Sequence, residues 1–275
     1  MNLKKVVIIG GAGQMGRWFS NFFIKEGFKV VVAGRTKNKL IQLKEKLPSV
    51  QIAEDNIDAI KDADMVVISV LLKNLKMVLE QIGSYLRPEQ IVIDITSVKE
   101  VPVKLMHRYI KNCVTLGTHP VFGPSATDCC QNFVLTPTNK REREFAEDFK
   151  IWLEEKGFRV GLMSPKKHDD LMSTVLGLSH FIGLVTCDTW LDLNLKELRK
   201  VSGTSFKSLS HLVENVVYSD PEFYSELQMS LPYVNRIEER FEYNVAKWLQ
   251  IVKSKDSKKF ASEMNRLRKT LDNLR

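Results

Sequence analysis

The run Val6-Val7-Ile8-Ile9-Gly10-Gly11-Ala12-Gly13-Gln14-Met15-Gly16 decides the fold class of this chain. It opens with β-branched residues typical of a buried strand and continues into glycines spaced as Gly-x-Gly-x-x-Gly. In that spacing the first glycine permits a tight turn, the second lets a pyrophosphate approach the backbone, and the third lets helix and strand pack closely. The following helix start offers phosphates its free N–H groups and the positive end of its dipole. The run predicts a dinucleotide site, contributed by Gly11, Gly13, Gln14, Met15 and Gly16. An ordinary glycine-rich strand–turn–helix junction is the alternative.

The surrounding sequence supports the dinucleotide site. Short Val- and Ile-rich runs alternate with amphipathic stretches of helical spacing, a pattern that favours a doubly wound α/β sheet. Strands are predicted at residues 6–9, 29–33, 65–70, 91–95, 114–116, 133–136 and 159–161. Helices are predicted between them at residues 14–25, 37–46, 75–85, 99–109 and 141–156.

The pattern changes after Gly161. Ser164-Pro165 is a good helix start, and strand-like runs almost vanish beyond it. Helices are predicted at residues 166–191, 195–217, 221–253 and 257–274. We therefore expect an N-terminal Rossmann-type doubly wound domain at residues 1–163 and an all-helical C-terminal domain at residues 164–275.

Composition narrows the class of protein. A chain of 275 residues with 44% hydrophobic residues has enough apolar material for two cores. The net charge of +8 fits nucleic acid, or equally an enzyme that binds phosphates and carboxylates. The final helix, 257–274, carries mixed charges around an apolar stripe, which indicates a packed surface helix more than a nucleic-acid-binding tail. We expect neither nucleic acid nor a membrane as partner, since no stretch has the roughly 18 uninterrupted apolar residues of a span.

Cysteine usage and the N-terminus bear on location. The cysteines Cys113, Cys129, Cys130 and Cys187 lack Cys-x-x-Cys spacing, so we expect reduced thiols and no metal. The apolar run after Met1 is too short for a signal peptide. Both observations favour the cytoplasm.

The residues after the second predicted strand bear on the choice of nucleotide. NAD enzymes usually place an acid there, about 20 residues beyond the glycine motif, to bind the ribose 2′-hydroxyl. Here the stretch is Gly34-Arg35-Thr36, without an acid. Arg35 can clamp a 2′-phosphate with forked donors and Thr36 can add another, which favours NADP. Arg35 stacked on the adenine of NAD is the alternative.

Two polar runs follow predicted strands at the edge where such sheets bind ligands. The first is Asp94-Ile95-Thr96-Ser97-Val98-Lys99 and the second is His119-Pro120-Val121-Phe122-Gly123-Pro124. A histidine with a pKa near neutrality suits proton removal from an alcohol while hydride leaves the carbon. His119 is therefore a candidate general base; an idle loop histidine is the alternative.

Together with the glycine turn, these two runs resemble the prephenate dehydrogenases of tyrosine biosynthesis, and the likeness extends over nearly the whole chain. Its other carriers are His168-Asp169, Leu178-Ser179-His180-Phe181 and Ser219-Asp220-Pro221-Glu222-Phe223-Tyr224. The resemblance implies oxidative decarboxylation of prephenate to 4-hydroxyphenylpyruvate. It implies that His119 accepts the proton of the ring hydroxyl and that Ser97 orients His119 or that hydroxyl. It also implies that His180 holds the substrate side chain; an interhelical histidine with satisfied hydrogen bonds is the alternative.

The second domain would be a dimerisation unit, as in this family. Its apolar faces at residues 175–191 and 209–217 are long enough to need a partner, so a homodimer is expected. We expect no regulatory domain after Arg275. Tyrosine could then inhibit only by competing with substrate at the active site. That expectation assumes a complete natural chain.

One departure from the family concerns the substrate carboxylate. The family commonly presents an arginine where this chain has Lys207, by an ungapped register, and lysine is a point charge rather than a bidentate fork. Arogenate, with an extra ammonium group, is the competing substrate, although no nearby acid plainly awaits that group. A hydroxy-acid or imine dehydrogenase and a non-enzymatic NADP sensor remain as other classes.

Overall fold

The computed structural model describes residues 3–124 and 131–274. The chain divides into two compact units. Residues 1–172 and 218–231 form the first, here named the sheet unit. Residues 173–217 and 232–275 form the second, here named the helical unit.

The sheet unit holds one eight-stranded sheet in the order β3-β2-β1-β4-β5-β6-β7-β8. Its strands are β1 (Lys5–Ile9), β2 (Lys29–Ala33), β3 (Gln51–Ala53), β4 (Met65–Ile68), β5 (Ile91–Asp94), β6 (Val114–Pro120), β7 (Asn132–Thr136) and β8 (Arg159–Leu162). Its helices are α1 (Gln14–Lys25), α2 (Lys37–Lys46), α3 (Asn56–Ile60), α4 (Leu72–Ile82), α5 (Glu100–Tyr109), α6 (Lys140–Glu155) and α7 (Pro165–Met172). The predicted Rossmann-type sheet is confirmed.

The strand order explains where a ligand can enter. Parallel pairing runs from β3 to β6, β7 is antiparallel to β6, and β8 is parallel to β7. The order reverses between β1 and β4, which creates a crevice outside the carboxyl ends of these strands. Gly10, directly after β1, is so close to β4's end that an added Cβ would lie 2.3 Å from the Ser69 carbonyl oxygen.

Helices cover both faces of the sheet, as its continuous apolar strands require. One face packs against α1, α2 and α6 through an aromatic-rich core that includes Phe19, Phe23, Phe133 and Phe149. The other face packs against α3, α4 and α5 through aliphatic side chains such as Leu75 and Met106. The sheet's carboxyl edge is thereby held between two rigid layers.

Two elements of the sheet unit were not predicted. The edge strand β3 is short and largely exposed, so its sequence has no buried apolar run from which a strand could be predicted. Helix α3 has only 5 residues, started by Asp55, whose side chain accepts a hydrogen bond from the Asp58 amide. Both lie in the stretch between the predicted helix at 37–46 and the predicted strand at 65–70.

The helical unit contains α8 (Ser179–Trp190), α9 (Leu195–Lys200), α10 (Thr204–Val217), α12 (Val234–Lys253) and α13 (Ser257–Asp272). Helix α11 (Pro221–Ser230) belongs to the residues that return to the sheet unit. The all-helical character predicted for this part of the chain is confirmed. Helices α8 and α10 pack closely at Gly183, where an added Cβ would lie 2.9 Å from Val216 Cγ2.

The predicted helices at 195–217 and 221–253 were wrong in their continuity. The first is broken at residues 201–203, where Gly203 has little helix propensity. The second is broken at residues 231–233, where Pro232 lacks the amide that a continuing helix needs. The domain boundary at residue 163 stays a prediction; helix α7, just beyond it, groups with the sheet unit.

Helical turns continue from α7 to α8 through a π-helical segment, Ser173–Leu178. The stretch Pro165–Trp190 is 26 residues long with a window of mean hydropathy 1.4, of which 22% is buried, so by length and composition alone it could cross a membrane. The core helix of a soluble protein meets the same criterion, so one such helix is weak evidence for a membrane span. The expectation that a membrane is not a partner of this protein therefore stays a prediction.

Of the four cysteines, Cys113 is buried and Cys187 half-buried, and both are free thiols. Burial raises the pKa of the Cys113 thiol to about 11, which keeps it unreactive. Cys129 and Cys130 lie outside the described residues. No group of metal-ligating side chains occurs within residues 3–124 and 131–274.

Candidate active site

The glycine turn between β1 and α1 is shaped by close backbone contacts. A Cβ on Gly11 would lie 2.6 Å from Val32 Cγ1, and one on Gly16 would lie 2.4 Å from the Gly11 Cα. Gly10 adopts φ +81°, a left-handed conformation that favours glycine. Arg17 closes the turn by donating from Nε to the Ala12 carbonyl oxygen at 2.9 Å. A side chain at Gly11 or Gly16 would collide with the protein's own atoms, so these glycines allow the turn to pack closely against β2 and α1.

The N-terminus of α1 fits a pyrophosphate. Gly13 is its N-cap, and in the part of the chain that the structure describes no side chain caps this helix end. The first turn carries no acidic residue. The free amides can donate hydrogen bonds to phosphate oxygens, and the helix dipole favours their negative charge. No carboxylate in this turn competes with them. Gln14, Met15 and Gly16 form that first turn, as the sequence predicts.

Arg35 and Thr36 lie between β2 and α2, and both are exposed. Thr36 is the N-cap residue of α2, and its side chain makes no capping hydrogen bond there. A hydroxyl and a guanidinium are thus available beside a second helix N-terminus. This chemistry suits an anion such as a ribose 2′-phosphate.

The ends of β5 and β6 are joined by a buried ion pair. Lys99 Nζ donates to Asp94 Oδ2 at 2.5 Å, and both side chains are fully buried. Lys99 Nζ also donates to the Thr118 carbonyl oxygen at 2.6 Å, and the Thr118 hydroxyl donates to the Asp94 carbonyl oxygen at 2.7 Å. Burial lowers the pKa of Lys99 despite the nearby Asp94 carboxylate. This network fixes the backbone that presents the next residue, His119.

His119 lies at the carboxyl end of β6 with 3% of its surface exposed. Its Nδ1 lies 2.8 Å from His168 Nε2, and His168 Nδ1 lies 2.7 Å from Asp169 Oδ1. Asp169 also accepts from the backbone N–H groups of Lys99 (2.7 Å) and Glu100 (2.9 Å) at the start of α5. The hydrogen bond at Nδ1 therefore fixes the orientation of the His119 imidazole.

The environment keeps His119 neutral. Burial, then the positive charges on His168 when protonated and on Lys99, hold the pKa of His119 well below its usual range. Burial also lowers the pKa of His168, although the Asp169 carboxylate acts in the opposite direction. A neutral imidazole offers a lone pair, the property required of a general base.

Phe122 secures the loop that follows His119. Its ring lies 4.8 Å from the ring of Trp18 on α1 and stacks on Phe158 at 5.9 Å. The loop that follows the candidate base is thus packed against the helix that begins at the glycine turn.

The structure pairs His119 with His168, a partner that the sequence did not suggest. Ser97 is half-buried in the loop between β5 and α5, and its predicted orienting role stays a prediction. His180 is half-buried on α8 and Lys207 is exposed on α10. Burial lowers the pKa of His180 to about 4, so it is a neutral hydrogen-bonding group. The sequence placed His168-Asp169 next to each other, but nothing local predicts a contact with His119, 49 residues earlier.

Comparisons with known proteins identify the family. A family profile described as "Prephenate dehydrogenase, nucleotide-binding domain" matches residues 19–162. A second, "Prephenate dehydrogenase, dimerization domain", matches residues 164–266. The chain is 32% identical over 264 residues to a "Probable arogenate/prephenate dehydrogenase" of Methanocaldococcus jannaschii, covering 94% of this chain and 59% of that protein. It is 28% identical to the "T-protein" of Enterobacter agglomerans, covering 96% of this chain and 67% of that one. The chain thus spans about three-fifths to two-thirds of the length of these relatives.

Solved structures share the fold. Prephenate dehydrogenase from A. aeolicus, in complex with hydroxyphenyl propionate and NAD+, superposes with a TM-score of 0.79 at 20% identity, over 100% of this chain and 99% of that one. Synechocystis arogenate dehydrogenase superposes with a TM-score of 0.74 at 16% identity, over 98% and 100% of the two chains. At these identities the likeness establishes the architecture alone.

Proposed function

The chain belongs to the prephenate dehydrogenase family, and from that premise we propose that it is an NAD(P)-dependent enzyme that oxidises and decarboxylates prephenate to 4-hydroxyphenylpyruvate in tyrosine biosynthesis. The observation that carries the proposal is a buried, neutral His119 at the carboxyl edge of the sheet, held through Nδ1. That arrangement leaves Nε2 as the atom that accepts the proton of the ring hydroxyl. Ser97 is proposed to orient His119 or the substrate hydroxyl.

The cofactor is proposed to lie on the glycine turn. Gly11 and Gly16 let the turn pack closely, Gly13 leaves the backbone open to the pyrophosphate, and the N-terminal amides of α1 bind the phosphate oxygens. When bound, its nicotinamide ring supplies the hydride acceptor for the oxidation. Arg35 and Thr36 are proposed to bind a 2′-phosphate, which makes NADP the favoured nucleotide and NAD the alternative.

Substrate contacts from the helical unit are also part of the proposal. His180 is proposed to bind the substrate side chain, and Lys207 to attract a carboxylate. Because position 207 holds a lysine where the family commonly has an arginine, arogenate remains the alternative substrate. The apolar faces of α8 and α10 and the match to a dimerization domain support a homodimer. A cytoplasmic location is proposed for such a biosynthetic enzyme.

The substrate assignment predicts the outcome of a paired assay. We expect reduction of the nucleotide, followed by absorbance, with prephenate, and slower or no reduction with arogenate or simple hydroxy acids. Faster turnover of arogenate would reverse the substrate assignment. Turnover of a hydroxy acid or imine alone would point to another dehydrogenase. Tight nucleotide binding with no turnover of any substrate would leave only a sensing role.

The nucleotide assignment predicts an unequal effect of Arg35→Ala. We expect the apparent KM for NADP to rise much more than that for NAD, because only the 2′-phosphate loses a charged partner. An interaction of this kind is worth about 1.5–3 kcal/mol, roughly 10- to 100-fold in affinity. The matched control is Lys46→Ala, which removes an exposed cation from the last turn of α2, at the opposite end of the helix. Equal effects of Arg35→Ala on both nucleotides would contradict the assignment.

A further inference from the structure

A chain of hydrogen bonds leads from His119 into the interior of the sheet unit. It passes from His119 Nδ1 to His168 Nε2 at 2.8 Å and from His168 Nδ1 to Asp169 Oδ1 at 2.7 Å. The exposed fractions of the three residues are 3%, 0% and 3%. In a buried chain of hydrogen bonds of this kind, the proton positions are fixed by the donors and acceptors along it.

Those positions follow from Asp169. Both of its oxygens accept backbone N–H bonds, Oδ1 from Lys99 and Oδ2 from Glu100, so the side chain acts as a hydrogen-bond acceptor at both oxygens. His168 must then donate to it through Nδ1–H, which leaves the lone pair of His168 on Nε2. That lone pair accepts the Nδ1–H of His119. The free lone pair of His119 is therefore on Nε2.

We propose that His168 and Asp169 form a proton relay behind His119, so that the proton removed from the substrate comes to rest on His168. This inference rests on the proposed function. The substrate O–H bond breaks as an N–H bond forms at His119 Nε2. The His119 Nδ1–H bond then breaks as an N–H bond forms at His168 Nε2. After carbon dioxide leaves, the same steps in reverse return the proton to the phenolate oxygen, so none is consumed.

Charge in the network favours His168 as the resting place. The groups that face His119 are His168 and Lys99, and both lower its pKa. The groups that face His168 are His119, Asp169, Asp94 and Lys99. Burial lowers the pKa of His168, and the two carboxylates act in the opposite direction. With Asp94 and Asp169 ionised and Lys99 protonated, the buried network has one excess negative charge, which a proton on His168 neutralises. His168 acts through His119 and is a positioning residue.

The first test needs no substrate. Long-range ¹H–¹⁵N correlation spectra of the full chain report the tautomer and protonation of each imidazole, and His119→Asn and His168→Gln assign the two signals. We expect Nδ1–H tautomers for both at neutral pH, and we expect the first proton added on acidification to reside on His168. An Nε2–H tautomer of His168, or earlier protonation of His119, would overturn the relay.

The second test is kinetic. Asp169→Asn removes the negative charge behind His168 and, with its amide nitrogen toward His168, inverts both tautomers, so that Nε2 of His119 becomes a donor. Such an inversion costs about 10⁴-fold in kcat in a hydrolase triad, and we expect a loss of about 10³-fold or more here. The matched control Asp170→Asn, at an exposed ion pair with Lys166, should leave kcat unchanged.

His168→Gln separates proton transfer from positioning. Glutamine can still accept the Nδ1–H of His119 but cannot take its proton. We expect kcat to fall on the order of tenfold with KM little changed, and the acid limb of the pH profile to move to lower pH. An unchanged kcat and pH profile would refute the relay. If the wild type turns over neither prephenate nor arogenate, the proposed function fails, and the NMR titration still decides the relay.

Discussion

His119→Asn is expected to lower kcat/KM by about 10²–10⁴-fold, the usual contribution of a positioned general base. Asparagine can accept a hydrogen bond at this position but cannot hold the proton of the substrate hydroxyl. Affinity for NADP should be little changed, because the glycine turn and Arg35 are untouched. Initial rates with saturating nucleotide, together with calorimetric titration of NADP, measure both quantities.

The matched control is His107→Asn, the same substitution on α5, where His107 Nε2 contacts Glu142 at 2.6 Å. Glu142 keeps hydrogen bonds from Thr115 and Thr138, so the control should fold and turn over normally. The wild-type pH profile is a second check. Because burial holds the pKa of His119 below 6.5, its acceptor nitrogen stays free as the pH falls through 6.5. Activity should therefore be lost only at more acidic pH. A His119→Asn enzyme with near-normal kcat/KM would remove His119 from the chemistry.

Lys99→Met is expected to lower the free energy of unfolding by about 3–5 kcal/mol, since it leaves the Asp94 carboxylate buried without its cation. Among the described residues Asp94 Oδ1 already has no hydrogen-bond partner, so this oxygen cannot compensate. The same variant also removes the Lys99 bond to the Thr118 carbonyl oxygen, directly before His119. Urea unfolding followed by circular dichroism measures the change.

Lys76→Met is the matched control. Its partner Glu80 is 3.7 Å away and both side chains are exposed, so the pair contributes about 0–1 kcal/mol. The double variant Asp94→Asn/Lys99→Met should unfold at higher urea than Lys99→Met alone, because the unpaired charge is gone. Equal midpoints for Lys99→Met and Lys76→Met would contradict a stabilising role for the buried pair.

The sheet could be predicted from the sequence because its main signals are local. Strands buried on both faces appear as unbroken Val and Ile runs, and the glycine spacing from Gly11 to Gly16 reflects contacts within one turn. Strand β3 escaped prediction because its residues are largely exposed and leave no apolar run. The breaks at Gly203 and Pro232 did have local signals, but the apolar periodicity on either side continues through them.

The candidate site could be predicted only in part. His119 and Ser97 follow strands whose carboxyl ends share one edge, so topology places them at that edge. The partner of His119 could not be found this way, because His168 reaches it from a helix beyond β8. Likewise the burial of Lys99 depends on Asp94 and Thr118 meeting across neighbouring strands. Interactions between distant segments leave no periodicity in the sequence.

The return of residues 218–231 to the sheet unit limits how the protein can be cut. A fragment that ends at residue 163 would keep all eight strands of the described sheet and the glycine turn. It would lose His168 and Asp169, and with them the acceptor for His119 Nδ1 and the carboxylate that caps α5. It would also lose Glu226, whose carboxylate accepts from the amides of Leu72 and Lys73 at the start of α4. A cut anywhere between residues 119 and 168 therefore separates the candidate base from the two residues that set its tautomer, although the glycine turn stays intact.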